Sequence, residues 1–229
     1  LVKDTSMSVV ISGEYGYSND KGRYALVTGK AMLTRAFKND SLFLHADTLL
    51  AWQDLYTGYG RWAAYHGVRF FKTDVQGVCD SMTYHTPDSL LTMYANPKIW
   101  HDSTQLMAEK IVIAVNSSGI HSADLLNASF VASMEDSVRF SQIRGKDMHG
   151  WFSDNHLNRI DVFGNGQSIY YTRNKRRDYT GVNRAESSDM LILFDDDEIS
   201  KLTMINDPRS EEHTLNSSHI PLSRMPSSA

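Results

Sequence analysis

One short pattern recurs along this chain: an apolar residue, any residue, then Gly or Ala, opening a strand-like run. It occurs as ISGEYGY, LHADTL, VQGVCDSMTY, LMAEKIVI and IRGKDMHGWF, and once more, with Asn183 in the apolar place, as NRAESSDMLIL. The small residues are Gly13, Ala46, Gly77, Ala108, Gly145 and Ala185, so the steps run from 31 to 40 residues. Some 18 to 21 residues after the first five comes a second small or ring residue followed by apolar ones: Ala31, Gly67, Pro97, Ala128 and Gly166. A period this regular means one supersecondary unit used repeatedly. Each unit is too small to bury its own apolar face and depends on its neighbours.

The unit reads as β. IVIAV, FVASM, IDVFG, MLILF and LTMI crowd apolar and β-branched residues into short runs, bounded by NSSG, SDNH, GNG and DDDE, which are turn chemistry. No stretch keeps an i, i+3, i+4, i+7 stripe over several turns; ADTLLAWQDLY comes nearest, and there a short helix or a long loop is open. Each repeat is expected to supply two strands joined by a polar turn. Gly or Ala at a fixed strand position suits places where sheets approach closely or curve. An ordinary β-sandwich with coincidental spacing is the plainer alternative.

The 229 residues are 41% hydrophobic, enough for one large β domain or two moderate ones. A net charge of −4 and a pI near 6.1 lack the basic footprint of a nucleic-acid binder, so no nucleic-acid partner is expected. The run Lys175, Arg176, Arg177 reads as a solvated loop. No apolar run approaches the roughly twenty residues of a membrane-spanning helix. A single cysteine, Cys79, excludes an intramolecular disulfide framework. The chain opens on Leu1 already inside a strand-like pattern, which reads as a truncated start with any export signal missing.

The other end changes character. From Arg209 the chain reads RSEEHTLNSSHIPLSRMPSSA, and both RSEEH and SRMPSSA back-translate naturally into sequencing-adapter DNA. The expected organisation is therefore a β-repeat region over 1–208 and an adapter-derived, unstructured tail over 209–229. The sixth repeat needs its second small residue near position 205 and so should stop midway.

Catalytic constellations are absent from the pattern. Nine histidines include no HExxH and no helix-spaced metal pair; Cys79 has no partner, and no nucleophile elbow, phosphate loop or dinucleotide fingerprint occurs. No enzyme activity, cofactor or metal is expected. The acidic run Asp195, Asp196, Asp197, Glu198 joins two strands as a turn and needs no calcium to explain it. What remains is an apolar face. Leu44, Leu49, Phe70, Met82, Ile99, Ile111, Ile113, Phe130, Ile160, Val162 and Ile169 can line a long interior between stacked sheets. Closed, that interior is a core; splayed, it is a groove for acyl chains, and periodicity does not separate the two.

The stretches SLFLHADTL, YHGVRFFKTDVQGVCDSMTY, RFSQIRGKDMHGWFSDNHLNRIDVFGNGQSIYY and GVNRAESSDMLILF resemble the OstA-like (organic-solvent-tolerance-like) family, most closely its Bacteroidetes versions. The resemblance runs from about Gly13 to Ile205. It implies an open, twisted antiparallel β-jelly-roll, related to the periplasmic bridge of lipopolysaccharide transport, whose groove shields lipid A acyl chains. It further implies residence in the periplasm, with outer-membrane association as an option. The implied partners are lipopolysaccharide, other transport components of similar jelly-roll fold, and further copies added end to end. No catalytic motif is carried over.

Overall fold

The computed structural model describes residues 2–4, 9–19, 23–54, 56–57, 59–116, 119–153, 156–195 and 198–214. Every element assigned there is a strand. In chain order they are β1 (Val2–Asp4), β2 (Val9–Ser12), β3 (Tyr15–Ser18), β4 (Tyr24–Ala36), β5 (Ser41–Gln53), β6 (Gly60–Lys72), β7 (Val75–His85), β8 (Leu90–Tyr94), β9 (Lys98–His101) and β10 (Thr104–Met107). There follow β11 (Lys110–Asn116), β12 (Gly119–Leu126), β13 (Ser129–Met134), β14 (Phe140–Gly145), β15 (Asp147–Ser153), β16 (His156–Arg173), β17 (Tyr179–Asp195), β18 (Glu198–Ile205) and β19 (Arg209–Thr214).

Among the described residues these form one antiparallel sheet of 19 strands, folded along its middle into two layers. Layer I runs β1, β2, the second half of β4, the first of β5, the second of β6, the first of β7, then β9, β10, β13, β14, the second half of β16, the first of β17, and β19. Layer II takes β3, the other halves of those long strands, and β8, β11, β12, β15 and β18. The chain thus crosses from one layer to the other at a corner, turns, and crosses back. Two crossings make one sequence repeat.

Left-handed backbone pairs build every second corner: Gly29 with Lys30, His66 with Gly67, Ala95 with Asn96, Asn127 with Ala128, Gly164 with Asn165, and Asn206 with Asp207. Two successive residues at positive φ bend the strand sharply enough to change layer. Backbone hydrogen bonds stitch neighbouring corners together, as in Glu14 N–H to Gly29 O, Glu109 N–H to Asn127 O, Lys146 N–H to Gly164 O and Ser188 N–H to Asn206 O. The intervening corners carry four of the small residues of the sequence pattern, Gly13, Ala46, Ala108 and Gly145, whereas Gly77 and Ala185 stand within layer I, two residues short of their corners. A Cβ on Gly145 would come within 2.4 Å of Val162 Cγ1, and one on Gly13 within 2.6 Å of Val27 Cγ1. Those glycines are small because an apolar side chain of layer II lies on them.

Turns close the far ends of the arms. Asp40 accepts hydrogen bonds from Ser41 N–H at 2.7 Å and from the Thr73 hydroxyl at 2.9 Å, tying two adjacent turns. The Ser41 amide, then the Thr73 hydroxyl, hold its carboxyl below the usual range.

Two expectations change. ADTLLAWQDLY is not a helix or a loop at its start, because residues through Gln53 belong to β5. Its inward residues Leu44, Ala46, Leu49 and Ala51 switch parity at the corner, and the resulting three-residue gap imitates helical spacing. The pattern also continues past 205: Asn206 and Asp207 form the sixth corner and Pro208 follows it, as Pro97 follows Asn96. Arg209–Thr214 is a strand rather than an unstructured tail, paired with 181–186 of β17. Its residues through His213 are exposed, so backbone pairing to an open edge holds it, without apolar burial. Residues 215–229 lie outside the described residues, as do Asp196 and Asp197 of the acidic run.

Candidate functional site

Register turns the apolar alternation of the strands into two ladders that face each other. Across layer I the inward row is Leu33, Leu44, Phe70, Gly77, Ile99, Leu106, Val131, Ile143, Ser168 and Ala185. Across layer II it is Val27, Leu49, Ala64, Met82, Met93, Ile111, Leu125, Met148, Val162, Met190 and Met204. Residues of both rows belong to one continuous core cluster from Val9 to Ile192. Five of the chain's 10 methionines stand on the layer II row. Met is unbranched and polarisable, and it suits a surface that must repack around different shapes. No single stretch of sequence displays this stripe, since its members come from separate strands.

Of the expected lining residues, Leu44, Leu49, Met82, Ile99, Ile111, Ile113, Ile160 and Val162 are buried in this interior, and Phe70 packs against it half-buried. Phe130 and Ile169 fall elsewhere. Phe130 pairs with Met107 and Arg144, and Ile169 with Gln142 and Arg184, on the outer face of layer I. In FVASM both Val131 and Ala132 are buried, so alternation alone does not tell which face is inward.

The interior is tightly filled. Val162, Met93 and Ile192 are all 0% exposed. A cavity of about 70 Å³ remains near the N-terminal end, where Ile11, Leu33 and Leu44 of layer I face Val27, Trp62 and Met82 of layer II. That is room for roughly two water-sized groups, well short of an acyl chain. Toward the other end the walls turn partly polar: Ser168 Oγ and Asn183 Oδ1 are buried without hydrogen-bond partners. Asn183 is the residue that breaks the apolar rule of the sequence pattern, and it sits across from Tyr170 beside the Ser168–Ala185 pair. Cys79 lies buried at a corner, and burial pushes its thiol from near 9 up to about 11, leaving it a packing group.

Among the described residues no group of three or more His, Cys, Asp or Glu is placed to hold a metal ion. A polar cluster lies on the outer face of layer II. There His149 bonds Asp124 through Nδ1, and Trp151 meets the imidazole edge-on at 4.2 Å and donates to Asp161 at 3.3 Å. It links cross-strand neighbours of β12, β15 and β16.

These features define a two-layered, all-β antiparallel jelly-roll with an apolar interior running its length and a hydrogen-bonded corner line along one side. No family model and no curated protein matches the chain. Among solved structures it is similar to the crystal structure of LptH, the LptA-homologous periplasmic component of the conserved lipopolysaccharide transport device from Pseudomonas aeruginosa. That similarity has a TM-score of 0.40 at 16% sequence identity, over 51% of this chain and 87% of that chain.

Proposed function

We propose that this chain is a lipid-binding envelope protein of the OstA-like family, Bacteroidetes type. In this reading it shields the acyl chains of lipopolysaccharide between its two layers during passage through the periplasm to the outer membrane. The observation that carries the reading is the methionine-rich inner ladder of layer II, continuous from Val27 to Met204 and facing an equally continuous layer I. Each methylene taken out of water is worth roughly 0.8 kcal/mol, so a many-chained lipid gains a large stabilisation from such a surface. The corner line joins the layers on one side only, so entry occurs by parting the turns on the other. Lipid A is the ligand, the chain acts without catalysis or cofactor, and jelly-roll transport components or further copies continue the surface at the open strand ends.

The small cavity supports a second reading, a structural or adhesive β-repeat protein whose closed core never opens. Photocrosslinking probes at Ile111 and Val162 separate the two. Capture of lipopolysaccharide by a folded protein supports transport, whereas probes that only crosslink the opposite layer support the closed core. The proposed adapter origin of residues 209–229 is tested by sequencing the genomic locus, where finding those codons would sink it.

A further inference from the structure

We propose that the outer face of layer I carries a separate binding groove for a single-chain anionic amphiphile such as a fatty carboxylate. A concavity of about 330 Å³ lies there, across β4, β5, β6, β7 and β9. Phe43 and Phe71 wall it, cross-strand neighbours that stay 43% and 52% exposed, and Trp100 closes the far side across Gln76. Met32 and Val78 add aliphatic surface.

Large aromatics clustered on an outward sheet face are unexplained by folding, because they gain little burial from it. The volume holds roughly ten groups of about 30 Å³, the size of a medium acyl chain. One end is basic. His45 and Arg69 are cross-strand partners lining the groove, and Lys98 continues their row beyond Val78. None of these three has a carboxylate partner among the described residues, and no lining residue is acidic. In a chain of net charge −4 this is a local reversal that selects an anionic headgroup. Arg69 presents the fork that pairs with a carboxylate in bidentate fashion. Strand-to-strand twist of about 20° limits flat contact, which favours one chain lying in the groove over a bilayer pressed against the whole face.

The test is titration of the full chain with brominated dodecanoate, read by tryptophan quenching. Quenching is expected from Trp100, so Trp100→Phe should remove it while binding of unlabelled dodecanoate, read by calorimetry, persists. Arg69→Gln should weaken dodecanoate about tenfold through the lost charged hydrogen bonds and leave dodecanol binding unchanged. Phe71→Ser, at an exposed position, should weaken both ligands with no change in thermal unfolding. Quenching that survives Trp100→Phe, or equal affinity in Arg69→Gln, overturns the proposal. So does binding only to anionic phospholipid vesicles, or binding only by a dimer. Met148→Ala in the interior should leave dodecanoate affinity unaltered, so failure of the lipopolysaccharide reading does not carry this one with it.

Discussion

The inter-layer interior and the outer groove of layer I are two apolar surfaces on opposite sides of the same strands, and they differ in almost every physical respect. The interior has a larger apolar area around a cavity of about 70 Å³ near its N-terminal end; the groove has fewer apolar residues around about 330 Å³. Inside, Val162 and its neighbours are held by both layers, and orphaned polar atoms are the exception. Outside, aromatic rings stand beside unpaired cations. The contrast teaches that apolar content does not mark a binding site by itself. An interior this full binds only by moving, at the cost of parting its layers, whereas a groove already open binds without rearrangement.

The largest effect that can break this comparison is a charge placed inside. Val162→Asp should destabilise the domain by several kcal/mol, because an unpaired carboxylate would meet hydrocarbon on all sides. Phe71→Ser should stay within about 0.5 kcal/mol of the parent. Thermal unfolding of the two variants decides it, and a folded, undiminished Val162→Asp protein would mean that the interior is already wet.

Cys79 reports on the same dryness at a corner. Its folded pKa is raised, so the neutral thiol's contribution is fully present below the unfolded value near 9 and is lost as pH climbs toward about 11. Urea midpoints measured from pH 8 to 11 should fall for the parent and stay flatter in Cys79→Ala; identical slopes would show that the thiol is solvated.

A smaller loss, about 2 kcal/mol, is expected for Gly145→Ala, whose new methyl meets Val162 Cγ1. Val162→Ala in the same chain should recover part of it, and strict additivity of the two changes would refute the contact. A smaller effect still has the opposite sign. Ser168→Ala removes a buried hydroxyl that lacks a partner and should stabilise by about 1 kcal/mol, seen as a higher denaturant midpoint. A lower midpoint would mean that the hydroxyl is satisfied.

Strand content was legible along the chain because IVIAV, FVASM and MLILF carry β chemistry locally, and the small-residue period marked most of the corners. Gly13 and Gly145 announce them through a steric need: Val27 and Val162 occupy the space a side chain would fill. The same local signal failed where a corner changes parity, as in β5, and where both faces are covered, as at Phe130 and Ile169.

The amino-acid order alone therefore determined a β repeat with small residues at fixed intervals, since propensity and steric size belong to single residues and their near neighbours. Only the tertiary structure decided which alternate residues face each other. The methionine row and the Phe43, Phe71 and Trp100 groove are each assembled from strands far apart in the chain, brought level by hydrogen-bond register. Register is a property of pairs of strands, and a one-residue slip would exchange the two faces.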